Sequence, residues 1–118
     1  MANEATLSIN LQFSKGGKSA SMRAGGLQVD VAGTKYIQNV QTIGTSAEAI
    51  DLGDIAAPGL MMVRNRNASG SINFREGASG ADFVKVLAGE VATFRLAGTA
   101  PYAIGTENSE IEYLIVEN

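Results

Sequence analysis

Alternation is the first pattern in the chain. Residues 5–13 place Leu7, Ile9, Leu11 and Phe13 on one side and Thr6, Ser8, Asn10 and Gln12 on the other, the two-residue period of a half-buried strand. Leu27, Val29 and Val31 alternate with Gln28 and Asp30, and Lys35 to Ile43 is rich in β-branched and aromatic residues; both read as strands. Ile50 and Leu52 stand two apart before Gly53, and Pro58-Gly59 marks a turn. Four short runs of strand length follow: Leu60 to Arg66, Ser71 to Arg75, Phe83 to Leu87 and Val91 to Leu96. Asn67-Ala68-Ser69-Gly70 suits a four-residue turn and Ala88-Gly89-Glu90 a three-residue hairpin, which predicts antiparallel neighbours on either side of each. Ala97 to Ser109 reads as a loop carrying Tyr102 and Ile104. Glu110 to Val116 is the final strand, with Ile111, Tyr113 and Ile115 opposite Glu110, Glu112 and Leu114.

No helical stripe runs for three turns; Ser46 to Ile50 is long enough for a single helical turn only. No repeat of fixed period occurs. Eight or nine short strands punctuated by turn residues predict an all-β fold, an antiparallel β-sandwich of jelly-roll type, as one domain over residues 1–118. Its exposed strand edges must be covered, charged or paired with another chain.

Residues 14–26 stand apart. They hold four glycines, three serines, Lys15, Lys18 and Arg23 around a lone Met22, a composition that cannot offset its own ordering entropy. The expectation is a flexible basic loop or arm that orders on contact with an acidic surface. Gly16-Gly17 and Gly25-Gly26 precede no predicted helix, so a phosphate-cradling loop is not supported.

Composition narrows the chemistry. The 118 residues contain no histidine and no cysteine, which removes histidine-dependent triads, thiol nucleophiles, disulfides and zinc sites built on sulfur or imidazole. The net charge of −3 argues against a general nucleic-acid binder. Residues 1–40 carry Lys15, Lys18, Arg23 and Lys35 against Glu4 and Asp30, so the only basic surplus lies there. Apolar stretches fall far short of the roughly 20 residues of a membrane helix. Ala2-Asn3-Glu4 after Met1 lacks the basic and apolar regions of a signal peptide, so synthesis and retention in a cytosol are expected.

The remaining side chains offer four candidate sites. Asp51 and Asp54 flank Gly53 and would suit calcium, although a turn closed by Asp side chains explains the spacing better. Glu107, Glu110 and Glu112 are the nearest thing to a paired-carboxylate acid and base, but Glu110 and Glu112 share the outward face of a strand. Arg64-Asn65-Arg66-Asn67, with Arg75 and Arg95, would form a polar strip for a sugar, a carboxylate or an acidic partner, or would pair internally with Glu76, Asp82 and Glu90. Tyr36, Tyr102 and Tyr113 are poor material for a sugar-stacking platform, there being no tryptophan. No catalytic residue, cofactor or metal is assigned. The candidate partner contacts are Lys15, Lys18, Met22, Arg23, Arg64 and Arg66.

From Tyr36 onward the chain resembles small virion structural proteins of tailed bacteriophages. The likeness is carried by Gln41-Thr42-Ile43-Gly44-Thr45-Ser46, Ile50-Asp51-Leu52-Gly53-Asp54, Pro58-Gly59-Leu60, Leu87-Ala88-Gly89-Glu90-Val91-Ala92-Thr93-Phe94-Arg95-Leu96 and Glu112-Tyr113-Leu114-Ile115-Val116-Glu117. The resemblance implies a non-enzymatic β-sandwich, a capsid decoration or cement protein that contacts the major capsid or another virion protein. It also implies a homo-oligomer made in the host cytoplasm and carried on the virion. The alternative is a carbohydrate- or receptor-binding module of a tail or fibre, using the Arg64 to Asn67 strip.

Overall fold

The computed structural model describes residues 4–118 and is all β, with antiparallel sheets throughout. Two compact units divide the chain, one running to Ala32 and the other covering Gly33–Asn118.

The first unit is a long two-stranded ribbon. Strands β1 (Ala5–Lys15) and β2 (Lys18–Val29) pair antiparallel from Ala5↔Val29 to Lys15↔Lys18. Its tip is the two-residue turn Gly16-Gly17, with φ of 61° and 76°. Positive φ at both central residues is the type I′ geometry, which matches the right-handed twist of the strands and which a side chain would resist. In β2 the apolar positions are even up to Ala24 and odd from Leu27, a change of parity that would turn half the strand inside out. A bulge corrects it. The register passes from Leu7↔Leu27 to Ile9↔Ala24, so Ser8 faces both Gly25 and Gly26. Gly26 takes a φ of 65° and donates its N–H to Ser8 Oγ at 3.0 Å.

The expected loop at 14–26 is therefore a strand pair. Its entropy cost, prohibitive for the segment alone, is met by ladder hydrogen bonds to residues 5–13, and its glycines stand where the turn and the bulge need them. The strand expected at Leu27 to Val31 is the end of β2, which stops at Val29.

The second unit is the sandwich. Its strands are β3 (Tyr36–Ile43), β4 (Glu48–Ala49), β5 (Pro58–Asn65), β6 (Ser71–Glu76), β7 (Asp82–Leu87), β8 (Val91–Arg95), β9 (Pro101–Gly105) and β10 (Ser109–Glu117). One sheet has the order β3-β10-β5-β8 and the other β4-β9-β6-β7. The pairs β3·β10, β4·β9, β5·β8 and β6·β7 are nested. They form one long hairpin rolled up from its tip at β6–β7, with β10·β5 and β9·β6 joined where the roll meets itself. This is jelly-roll connectivity.

The registers align inward residues across neighbouring strands. Tyr113 faces Val63 and Asn39, Ile115 faces Met61 and Ile37, and Phe74 faces Ala103 and Val84. Ile43, Ile111 and Ile72 complete the buried centre. Ile50, Ile55 and Leu96, just outside the strands, also join the core. Between Phe74 and Arg75 the β6·β7 register slips and leaves Phe83 as an extra residue. Its ring meets Phe94 edge-on at 5.8 Å, and Phe94 meets Phe74 at 6.2 Å, a T-shaped series that favours the positive ring edge over the negative face.

Three local expectations change. Asn67 to Gly70 and Ala88 to Glu90 do not join neighbours: β5 and β6 lie in different sheets, as do β7 and β8. Both turns are corners between sheets, and the hairpin is β6–β7. The stretch expected as a loop at 97–109 contains β9, which lies inside its sheet between β4 and β6. There the small residues Pro101, Ala103 and Gly105 are buried, whereas Tyr102 and Ile104 are only half-buried. The single-turn segment near Ser46 holds the short strand β4.

Candidate functional site

Pairing sorts the ribbon's side chains by chemistry. One face carries Leu7, Ile9, Leu11 and Phe13 from β1 with Ala20, Met22, Ala24 and Leu27 from β2, and the other carries Thr6, Asn10, Gln12 and Ser14 with Ser19, Ser21, Arg23 and Gln28. The apolar face is in water: Leu11 is 69% exposed, Phe13 52% and Met22 76%. Lys15 and Lys18 lie opposite each other at the tip. Lys15, Lys18 and Met22 thus share a face, while Arg23 lies on the polar one. At the open end Glu4 accepts the Val31 N–H through Oε1 at 2.9 Å, and that hydrogen bond is the first cause holding its carboxyl below the usual range.

On the sandwich, the outer face of the β3-β10-β5-β8 sheet holds the other two predicted contacts. Alternation turns Arg64 and Arg66 outward and Asn65 inward. Arg64 Nη1 lies 4.0 Å from Glu112 Oε1 and Arg66 Nη1 3.6 Å from Glu110 Oε1, all four side chains being largely exposed. Pairs this exposed are worth about 0–1 kcal/mol; their charges remain available to a partner. Val40, Met62, Val91 and Leu114 are exposed beside them. Gln38, Met62, Arg64, Glu112, Tyr113 and Leu114 line a shallow open hollow on this face.

The Arg64 to Asn67 strip is not one surface. Asn65 is fully buried, donating from Nδ2 to the Val86 carbonyl at 3.2 Å and accepting the Asn67 N–H at 3.0 Å. Its backbone binds the corner 88–90 as well, through Gly89 N–H and Glu90 C=O. A single amide therefore ties a strand of one sheet to a strand of the other. Asn67 Nδ2 donates to the Ser69 carbonyl and to Glu107.

The carboxylates do not converge. Glu107 accepts from Asn67 Nδ2 and Ser69 Oγ, while Glu110 and Glu112 face Arg66 and Arg64 on the outer surface. Asp51 Oδ1 accepts the Gly53 N–H at 2.9 Å, Gly53 having a φ of 58°, which is an Asx turn. Among the described residues no three acidic side chains gather as a metal site would require. Arg75 Nε donates to Asp82 Oδ1 at 2.7 Å, and this bond is the leading cause of a lowered Asp82 pKa. Arg95 binds Asn118 Oδ1.

Sequence alternation alone could not single out the buried network around Tyr113. Its hydroxyl donates to the Asp51 carbonyl at 2.7 Å, accepts from Asn39 Nδ2 at 3.2 Å and lies 3.3 Å from Gln41 Oε1. Gln41 in turn accepts the Asp51 N–H and donates to the Ala49 carbonyl. Burial pushes the phenol above its ordinary pKa, against the Asn39 hydrogen bond and with the Asp51 carboxylate. Polar residues at inward positions of β3 signal such a network, but not its partners. It fastens the 47–54 segment to the sandwich and is structural in kind.

Comparison of the chain with known protein families, characterised proteins and solved structures finds no match.

Proposed function

We propose that this protein is a non-enzymatic structural component of a tailed-phage virion, a capsid decoration or cement protein that bridges subunits of the shell. The observation that carries the reading is the outer face of the β3-β10-β5-β8 sheet. There, exposed Val40, Met62, Val91 and Leu114 are interleaved with the Arg64–Glu112 and Arg66–Glu110 pairs, the mixture of apolar area and orienting charge found where proteins dock. The resemblance from Tyr36 onward and the jelly-roll connectivity support the phage assignment by analogy of fold. An accessible surface of 7180 Å² is several times the roughly 800 Å² per partner of a standard interface, so one copy has room to touch several neighbours. Repetition around a shell makes weak contacts additive through avidity. In this reading the partner is the major capsid protein or another virion protein, and the site of action is the particle, after synthesis in the host cytoplasm.

The test is addition of the protein to shells that lack it, followed by sedimentation and by a measure of shell resistance to heat. Saturable binding with stabilised shells is expected, and Arg64→Glu/Arg66→Glu should abolish it while the protein stays folded. Absence of binding by the parent protein would refute the reading.

A further inference from the structure

The outer face of the β3-β10-β5-β8 sheet carries an order that docking on a foreign surface does not by itself require. Rows of side chains cross it from strand to strand. One row runs Val40, Glu112, Arg64, Val91 and the next Gln38, Leu114, Met62, Thr93, each side chain standing opposite its neighbour in the strand register. Read from the other end, each row keeps its class at every place, apolar for apolar and polar for polar, and exchanges only the sign of its two charges. The row beyond repeats the exchange on the same two strands, with Glu110 Oε1 3.6 Å from Arg66 Nη1. A column of two carboxylates on β10 thus lies beside a column of two guanidiniums on β5.

We propose that this face pairs with the same face of a second copy, the two sheets stacked about a two-fold axis that runs parallel to the strands between β10 and β5. That operation lays β10 over the partner's β5 and β3 over the partner's β8. Glu112 then meets the partner's Arg64, Val40 the partner's Val91, Leu114 the partner's Met62 and Gln38 the partner's Thr93. Every charge gains a second opposite neighbour, and the apolar places close on one another. The other aligned stack, with the axis across the strands, lays β10 on β10. It sets carboxylate on carboxylate and guanidinium on guanidinium, or slides both onto the apolar row, and either contact is costly once water is excluded. The pattern therefore selects both the occupant and its orientation. Stacked sheets cross at about 30°, and the charged columns lie on the two central strands, where that rotation displaces them least.

Area and availability agree with this occupant. The face is four strands wide and about 26 Å long, about 500 Å² in projection, which side-chain relief raises toward the roughly 800 Å² per partner of a standard interface. Val40, Met62, Val91 and Leu114 are 37% to 50% exposed and supply its apolar part. The paired Arg and Glu side chains are 41% to 57% exposed, so their internal pairing leaves them free to take a second partner. The chain's own ribbon is no substitute: residues 5–29 contain Lys15, Lys18 and Arg23 and no acidic side chain, which leaves Arg64 and Arg66 without a counter-charge. This pairing rests on the reading of the face as a docking surface and adds what regulates it. A copy joined to a second copy has no such face left for a shell, so self-pairing and shell docking exclude each other.

The experiment uses the full chain with no shell present. Light scattering coupled to size exclusion should report a dimer for the parent at micromolar concentration. Arg64→Glu/Arg66→Glu leaves four carboxylates on the face and Glu110→Arg/Glu112→Arg four guanidiniums. Each alone should be monomeric, with a folded sandwich by near-ultraviolet circular dichroism, and the two mixed should form a heterodimer. Orientation is read from Val40→Lys and Val91→Glu, positions on opposite edge strands of one copy that meet only across the axis. Each alone should associate roughly tenfold more weakly than the parent, and their mixture should recover the loss. A monomeric parent, a dimer indifferent to either charge reversal, or mixtures as weak as their components would overturn the proposal. Shell binding by a parent that stays monomeric would overturn it and leave the virion reading standing, whereas a dimer with these responses that ignores shells would overturn the virion reading alone.

Discussion

Replacing Tyr113 by phenylalanine removes one oxygen and leaves the ring in place, so no cavity forms and the loss is one of hydrogen bonding alone. The hydroxyl donates to the Asp51 carbonyl at 2.7 Å and accepts from Asn39 Nδ2 at 3.2 Å, and the residue is 1% exposed. Each bond is worth about 1 kcal/mol net, and a partner left without water costs somewhat more, so Tyr113→Phe should destabilise the protein by roughly 2 kcal/mol. For a unit the size of the sandwich this lowers Tm by about 8–16 °C. Urea unfolding should show a lower midpoint at an unchanged slope.

The pH dependence gives a second measurement with a definite sign. Burial raises the folded phenol above 10.0, so the native state resists losing this proton more than the unfolded chain does. The contribution is fully present below the unfolded value and declines as the pH rises through the folded one, by at most about 1.4 kcal/mol per pH unit between them. The parent should therefore lose stability relative to Tyr113→Phe above pH 10. Equal melting temperatures at neutral pH, or a stability difference that stays constant through alkaline titration, would refute the network.

Two further substitutions probe other joints. Asn65→Leu should cost about 2–4 kcal/mol in chemical denaturation, since it strands the Val86 carbonyl and the Asn67 N–H in a buried corner between the sheets. Asp82, its pKa lowered by the Arg75 hydrogen bond, contributes stability that is present above the unfolded carboxylate pKa and is lost as the pH falls through the folded one; the acid limb of a stability–pH curve should be shallower for Asp82→Asn.

Alternation carried the fold class, because half-buried strands write their inward residues at every second position. The sandwich strands β5, β6 and β10 show it plainly. It failed at β9, where the inward residues are Pro101, Ala103 and Gly105 and the larger Tyr102 and Ile104 face out, so a central strand looks like a loop. Strand partnership was illegible at the turns. Asn67–Gly70 has the chemistry of a tight turn whether the chain returns beside itself or crosses to the other sheet, and only the distant partners β10, β8 and β9 decide. Among the candidate contacts, the outward placement of Arg64 and Arg66 follows from parity, whereas their partners Glu112 and Glu110 lie in a strand far along the chain. The grouping of Lys15, Lys18 and Met22 needed the two-residue turn at Gly16-Gly17, which a residue-by-residue composition reading turns into disorder.

The nesting of the rolled hairpin has a consequence for how the protein is made. Thr34 donates its N–H to Glu117 across 83 positions of sequence, and β10, the last of the sandwich strands to be synthesised, occupies an interior place between β3 and β5. A ribosome-bound chain lacking that strand has a gap in the middle of one sheet, and closing it requires the longest loop in the molecule. The sandwich therefore completes only after residue 117 has cleared the exit tunnel, while the ribbon, which needs nothing beyond Val29 for its ladder, is free to form much earlier.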